Sequence, residues 1–160
     1  MNDPQKDAAN VRFFPPGIPV LIIAVGIALD HSWPFNLATE VPDVVRYILG
    51  GTIAGSALLI LGAWSVIIMR RSGQSENPWK PTNRIIERGP FRISRNPMYL
   101  QMVIVCFGVA VGLMNGWLLV LTPFCGWLLY RLAIIPEERY LELKFGDSYL
   151  AYKKRVPRWI

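Results

Sequence analysis

Two short stretches hold side chains that could do chemistry together. Residues 88 to 99, RGPFRISRNPMY, set Arg92, Arg95, Asn96 and Tyr99 around Pro97, and residues 136 to 140, PEERY, supply the adjacent carboxylates Glu137 and Glu138. Arginines bind anions, an asparagine both donates and accepts hydrogen bonds, and paired carboxylates serve acid–base work or the recognition of hydroxyl and amino groups. Taken singly, each has a plain structural role. The arginines could snorkel to headgroups, Pro97 could open a helix, the glutamates could sit in a helical first turn and Tyr99 could belong to an interfacial belt. A structural anchor, however, needs no Gly-Pro turn, no second arginine three residues on and no matched acidic pair about 40 residues later.

Other chemistries lack the residues. His31 is the single histidine, and Cys106 and Cys125 have no metal-ligand spacing, so neither a histidine-based metal site nor a Ser-His-Asp arrangement is available. No metal is expected. The two cysteines read as small packing residues rather than a redox pair.

The elements that must position these motifs are long apolar blocks. In this chain of 160 residues, Ile48 to Met69 runs for 22 residues without a charge and Asn96 to Tyr130 for 35. The first matches the ~20 residues that cross a hydrocarbon core, whereas the second is too long for one crossing and carries MNGW near its middle, where Asn115 and Gly116 favour a turn. A hairpin of two helices follows from that. Ile18 to Leu29 is shorter, and a secretory signal peptide is the rival reading there; DHSWPF follows it in place of a small-residue cleavage pattern, so a retained first span is expected. The fold class read from the sequence is all-α integral membrane. Four transmembrane helices (approximately 16–33, 44–69, 97–113 and 117–135) are expected, the last two a hairpin, with a loop at 70–95 and a C-terminal amphipathic helix at 136–156. Gly50, Gly51, Gly55 and Gly62 leave room in the second span for close helix approach. Residues 1 to 11 read as polar and loosely ordered.

Charge assigns sides. Arg70 to Arg95 contains seven Arg or Lys, and residues 131 to 160 hold another seven, whereas the connection from Asp30 to Asp43 has none. By the positive-inside rule both basic segments and both termini face the cytoplasm. The formal net charge of +6 is then topology with some attraction to anionic lipid, and nucleic acid is not an expected partner. A multi-pass protein of a prokaryotic inner membrane is the expected localisation. Because the spans are nearly free of charge, polar chemistry belongs at the cytoplasmic boundary, where the hairpin brings its two ends together. Beyond Pro136, the residues Leu141, Phe145, Tyr149, Tyr152 and Val156 recur at helical spacing, and Gly146 is a possible break. Their stripe would lie on the bilayer or cover the ends of the spans.

RGPFRISRNPMYL, followed by a hairpin and then EERYLELKFGDSYLAYKKRVPRWI, resembles the catalytic half of the isoprenylcysteine carboxyl methyltransferase family, whose relatives include phospholipid N-methyltransferases. The similarity covers about residues 76 to 160. It implies an integral-membrane enzyme that takes a methyl group from S-adenosylmethionine on the cytoplasmic side and gives it to a lipophilic or lipid-linked acceptor. The family motif Arg-His-Pro-x-Tyr-x-Gly falls on Arg95, Asn96, Pro97, Tyr99 and Gln101, with Asn for His and Gln for Gly. The upstream motif His-x-Leu-Val-x-x-Gly-x-Tyr falls on Asn83, Ile85, Ile86, Gly89 and Phe91, so its His and Tyr are also replaced. The resemblance thus implies cofactor contacts at Asn83, Arg84, Ile85, Ile86, Phe91, Arg95, Asn96, Pro97, Met98, Tyr99 and Glu137. It also implies a substrate-carboxylate arginine ahead of the acidic pair, for which Arg131 is the nearest candidate.

Asparagine can replace a neutral imidazole in hydrogen bonding, but not as a base. A carboxylate acceptor is already ionised at neutral pH and needs alignment more than a base, whereas a protonated amine must first lose a proton. Carboxyl methylation is therefore the favoured reading. Phospholipid amine methylation, with Glu138 or water as base, is the alternative. Gln101, one turn inside its span, could narrow the pocket or bind substrate. The tail KFGDSYLAYKKRVPRWI also resembles the end of sterol reductases, which leaves a nicotinamide-dependent oxidoreductase open, and the altered histidine positions leave a non-catalytic homologue open.

Overall fold

The computed structural model describes residues 8–35, 37 and 40–160, in which every regular element is helical. Helix α1 spans Gly17–Ser32, entered through Pro15 and Pro16 and stopped before Pro34. Helix α2 spans Asp43–Arg71, α3 Pro97–Leu113, α4 Gly116–Phe145 and α5 Asp147–Arg155. A single 3₁₀ turn, Gly89–Arg92, lies between α2 and α3. At 29 and 30 residues, α2 and α4 are long and apolar enough to cross a membrane, while α1 and α3 are shorter apolar helices.

Each boundary has a local cause. Pro97 opens α3, where its missing N–H would have no partner in any case. Met114 takes a left-handed conformation (φ 50°), and the Asn115 side chain then accepts the Leu118 N–H at 2.9 Å, capping α4. The proline at 136 and the acidic pair after it predict a separate helix from there. Instead α4 runs through it, because a wide π turn at Tyr130–Ile134, in which the Ile135 N–H reaches the Tyr130 carbonyl, shifts the register just before the ring. The helix breaks at Gly146, whose φ of +51° suits only glycine well.

The four apolar helices stand in the order α2, α3, α4, α1, with α1 also touching α3. The tightest contact is between α2 and α3. A Cβ on Gly50 would lie 2.4 Å from the Gly108 carbonyl oxygen, so the two backbones touch there. Gly62 faces the Gln101 side chain, but Gly51 and Gly55 face open space, which corrects the expectation that all four glycines serve helix approach. The core joins Ile18 and Ile22 of α1 to Cys106 of α3 and to Cys125, Leu129 and Ile134 of α4. The Cys106 thiol donates to the Cys125 sulfur at 3.9 Å, and the two are free of any disulfide and fully buried.

A second correction concerns the segment before α1. Ala9 and Val11 are buried in this core, and the Val11 carbonyl accepts the Trp79 indole N–H at 2.7 Å, so their apolar side chains outweigh the polar neighbours. The expectation for residues 1 to 7 lies outside the described residues.

Candidate active site

The long helices α2 and α4 outrun the apolar zone, and their protruding ends carry the site. Between them the chain from Gln74 to Asn96 folds back on itself. Arg70 pairs with Glu76, the Gln74 amide donates to the Arg84 carbonyl, and the Tyr140 hydroxyl accepts the Thr82 N–H at 3.2 Å. Gly89, with φ +54°, makes the turn that seats Pro90 in the interior.

The C-terminal tail then binds the Ser94-Arg95-Asn96 stretch from outside. The Arg95 N–H donates to the Pro157 carbonyl (3.0 Å), and both the Ser94 hydroxyl (3.0 Å) and the Asn96 amide (3.3 Å) donate to the Arg158 carbonyl. The Arg158 guanidinium grips both oxygens of Glu138, at 3.0 and 2.8 Å, and lies 4.9 Å from the centre of the Tyr130 ring. Tyr149, Tyr152 and Val156 of α5 and the tail pack with Ile85, Leu141 and Phe145, and the Tyr152 hydroxyl donates to the Phe91 carbonyl at 2.7 Å. The apolar stripe expected along this tail is thus turned toward the loop that carries Ile85.

Two adjoining cavities result. The larger, about 320 Å³, is walled by Phe14, Met69, Trp79, Met98 and Met102, with polar groups from Glu76, Asn77, Arg95, Asn96, Tyr99 and Glu137. The smaller, about 70 Å³, lies among Arg84, Ile85, Ile86, Leu141 and Tyr149. Met69, Phe91, Arg95, Asn96 and Glu137 line both. Phe14 and Trp79 stack 6.3 Å apart on the larger one.

At the junction, Tyr99 donates its hydroxyl to Glu137 at 2.8 Å. Glu137 lies beyond the apolar stretch of α4; burial, with the charge of Glu138 beside it, pushes its carboxyl above the ordinary range against the pull of the Tyr99 hydrogen bond. Glu138 goes the other way. Burial raises its carboxyl, but the Arg158 hydrogen bond and the charges of Arg95, Arg158 and Lys153 outweigh that and hold it below the ordinary range. Arg95 reaches Glu138 with one nitrogen only, at 3.4 Å, and its side chain is 6% exposed. Its Nε and Nη1 atoms are buried without a protein partner. A buried guanidinium with two unpartnered nitrogens, on a residue that lines both cavities, is a ready site for a carboxylate or phosphate.

Of the cofactor residues named from the sequence, all but Asn83 line one cavity or the other. Asn83 is exposed and turned to the Gly73 carbonyl. Gln101 lies against Gly62 in the α2–α3 contact and lines neither cavity. Arg131 is exposed on another face and also lines neither. Glu138 borders the smaller cavity but is held there in ion pairs with Arg95 and Arg158. Arg158, Phe14 and Trp79 went unrecognised as site residues, since no periodicity or spacing links them to the motifs; the tail's own run VPRWI, with a charge between apolar residues, was the one available signal.

Comparison with known proteins gives the family. The phospholipid methyltransferase family profile matches residues 50–148, which include Arg95, Tyr99 and both glutamates. The chain is 31% identical over 111 residues to the protein-S-isoprenylcysteine O-methyltransferase of Saccharomyces cerevisiae, covering 66% of this chain and 46% of that one. It is 31% identical over 128 residues to protein-S-isoprenylcysteine O-methyltransferase B of Arabidopsis thaliana, covering 80% and 59%. An uncharacterized Haemophilus influenzae protein is 37% identical over 65 residues, which is 39% of this chain and 100% of that one. The chain spans about half the length of the isoprenylcysteine methyltransferases it matches. No solved structure gives a significant match. With its helical hairpin, its RNPMY and PEERY motifs joined at one cavity and a profile match across most of its length, the chain belongs to the phospholipid methyltransferase family.

Proposed function

We propose that the protein is a membrane methyltransferase that uses S-adenosylmethionine to methylate a lipophilic acceptor, with the four apolar helices as spans and the two cavities on the cytoplasmic side. The open edge of Arg95 carries this reading. Unpartnered, and belonging to a residue that lines both cavities, it fits the carboxylate of the donor's methionine moiety, while Glu137, fixed by Tyr99, fits an amino or ribose hydroxyl group. Ile85, Ile86 and Phe91 offer apolar surface for a purine. When bound, S-adenosylmethionine supplies an electrophilic methyl group on a sulfonium sulfur.

The chain's own contribution is alignment and dryness. Met69, Met98, Met102 and Phe14 wall the larger cavity with flexible apolar side chains suited to a lipid-like acceptor and exclude water from the transfer. An apolar exterior supports the membrane setting: Val20, Leu59, Ile60 and Val120 are each more than half exposed. A carboxylate acceptor, in keeping with the O-methyltransferase names of the relatives, requires no base from the protein.

One observation favours a second acceptor. Arg131 stands away from the cavity, whereas Glu76 and Glu137 line it beside Trp79 and Tyr99, a lining suited to an amine or ammonium headgroup. For an amine, Glu137, whose carboxyl is held above the ordinary range, is better placed than the ion-paired Glu138 to take the proton.

The test is calorimetric titration of the detergent-purified protein with S-adenosylmethionine and S-adenosylhomocysteine. Micromolar binding that weakens at least tenfold in Glu137→Gln is expected, and no binding in the wild type overturns the proposal in favour of a nicotinamide-dependent or non-catalytic protein. Incubation with methyl-labelled donor and either a prenylcysteine or phosphatidylethanolamine then separates the acceptors, since a methyl ester releases labelled methanol in base and an N-methyl group does not.

A further inference from the structure

Arg131 has a setting of its own. It lines a separate hollow of about 560 Å³, formed by the segment before α1 and by α4 just beyond its apolar stretch, together with Arg12 and Arg139. All three arginines are exposed, and among the described residues no acidic side chain lines the hollow and none of the three has an ion-pair partner. Arg12 immediately precedes the first apolar run and Arg131 immediately follows the last, so the guanidiniums gather where two adjacent helices meet the same boundary. Two apolar side chains share the hollow and point outward, Phe13 at 55% and Leu143 at 90% exposed.

We propose that this hollow binds the headgroup of an anionic phospholipid, with the three guanidiniums on its phosphate and Phe13, which leads into the first apolar run, along its acyl chains. A soluble anion would use the charges and leave the apolar rim in water; a zwitterionic lipid would bring its own cation among three arginines. Only an anionic lipid answers both features. The proposal rests on reading the apolar helices as spans, and it assigns Arg131 to a lipid contact outside the cavity shared by Arg95 and Glu137.

The experiment is native mass spectrometry of the full chain released from mild detergent after exposure to phosphatidylglycerol or phosphatidylcholine, with the melting temperature read in parallel. One phosphatidylglycerol retained in preference to phosphatidylcholine is expected. Losing each arginine as glutamine should weaken retention about fivefold, the effect of about 1 kcal/mol per basic side chain at a membrane surface. The triple variant Arg12→Gln, Arg131→Gln, Arg139→Gln should lose the preference, and the matching triple lysine variant should keep most of it, which separates charge from misfolding. Equal retention of the two lipids, an undiminished preference in the triple glutamine variant, or equal stabilisation by inorganic phosphate alone would overturn the assignment. Resistance of the wild type to carbonate extraction from membranes tests the spans independently, so a failed lipid site and a failed membrane reading give different results.

Discussion

Arg95 and Arg158 sit on the same carboxylate with different consequences. Arg158 takes both oxygens of Glu138, whereas Arg95 reaches it with one nitrogen and has Nε and Nη1 left without a protein partner. Arg95→Gln should therefore weaken S-adenosylhomocysteine binding by tenfold or more, the scale of losing charge-assisted hydrogen bonds worth ~1.5–3 kcal/mol, measured by calorimetry. Arg158 lines neither cavity. Arg158→Met should nonetheless weaken the same binding and cost about 2 kcal/mol of stability, since it leaves Glu138 buried and draws Arg95 toward it. Arg158→Lys should restore part of the affinity, whereas Lys154→Ala, an exposed neighbour, should change neither quantity. The pair also sets a pH response. A carboxyl held below its ordinary range adds stability that is complete above the unfolded pKa of about 4.3 and is lost as pH falls through the folded value. Melting temperature in detergent should thus fall on acidification below about pH 4.3, and less steeply in Glu138→Gln, which starts from a lower plateau.

At the scale of elements, the α2–α3 contact is the least tolerant of change. Gly50→Ala would put a methyl 2.4 Å from a backbone oxygen that cannot turn aside, and a loss of about 1–3 kcal/mol is expected from overpacking. Gly51→Ala, one residue on, meets nothing within 4 Å and should be neutral or slightly stabilising. A thermal melt of the two variants decides this, and equal losses would mean that the helices do not touch at Gly50. The π turn of α4 has a different part. It lets one helix pass Pro136 and turn Glu137 toward Tyr99 while Arg131 emerges on another face. Arg131 was named only as the arginine nearest ahead of the acidic pair, and at six residues from Glu137, about 240° around a regular helix, nearness along the chain does not put the two on one face.

For the whole molecule, both ends of the apolar bundle differ in kind. One end carries the loop from Gln74 to Asn96, the acidic pair and α5 with its tail; the other is closed by the Asn115 turn and the Phe35 carbonyl, which accepts the Gly116 N–H at 2.9 Å. If the helices span as proposed, Lys154→Cys and Glu40→Cys, both at exposed positions, should be labelled by a membrane-impermeant maleimide from opposite sides. Labelling of both from one side would sink the four-span arrangement.

The amino-acid sequence by itself determined the helical class, because long uncharged runs leave backbone groups no partner but their own helix. It also determined the family, because Arg95, Pro97, Tyr99 and the Glu137–Glu138 pair carry it in their order and spacing. Helix ends were legible wherever proline or asparagine imposes one, as at Pro97 and Asn115. Only the tertiary structure decided which of these groups is free to act. Glu137 and Glu138 are neighbours of one type and both border the smaller cavity, yet Glu137 pairs with Tyr99 and reaches the larger cavity too while Glu138 is locked by Arg158, and that division depends on a tail 20 residues away folding back across Asn96. The open edge of Arg95, the burial of Val11 and the removal of Gln101 and Arg131 from the cavity have the same origin. Composition and spacing state what a side chain can do, while packing between distant segments settles which of its atoms still lack a partner.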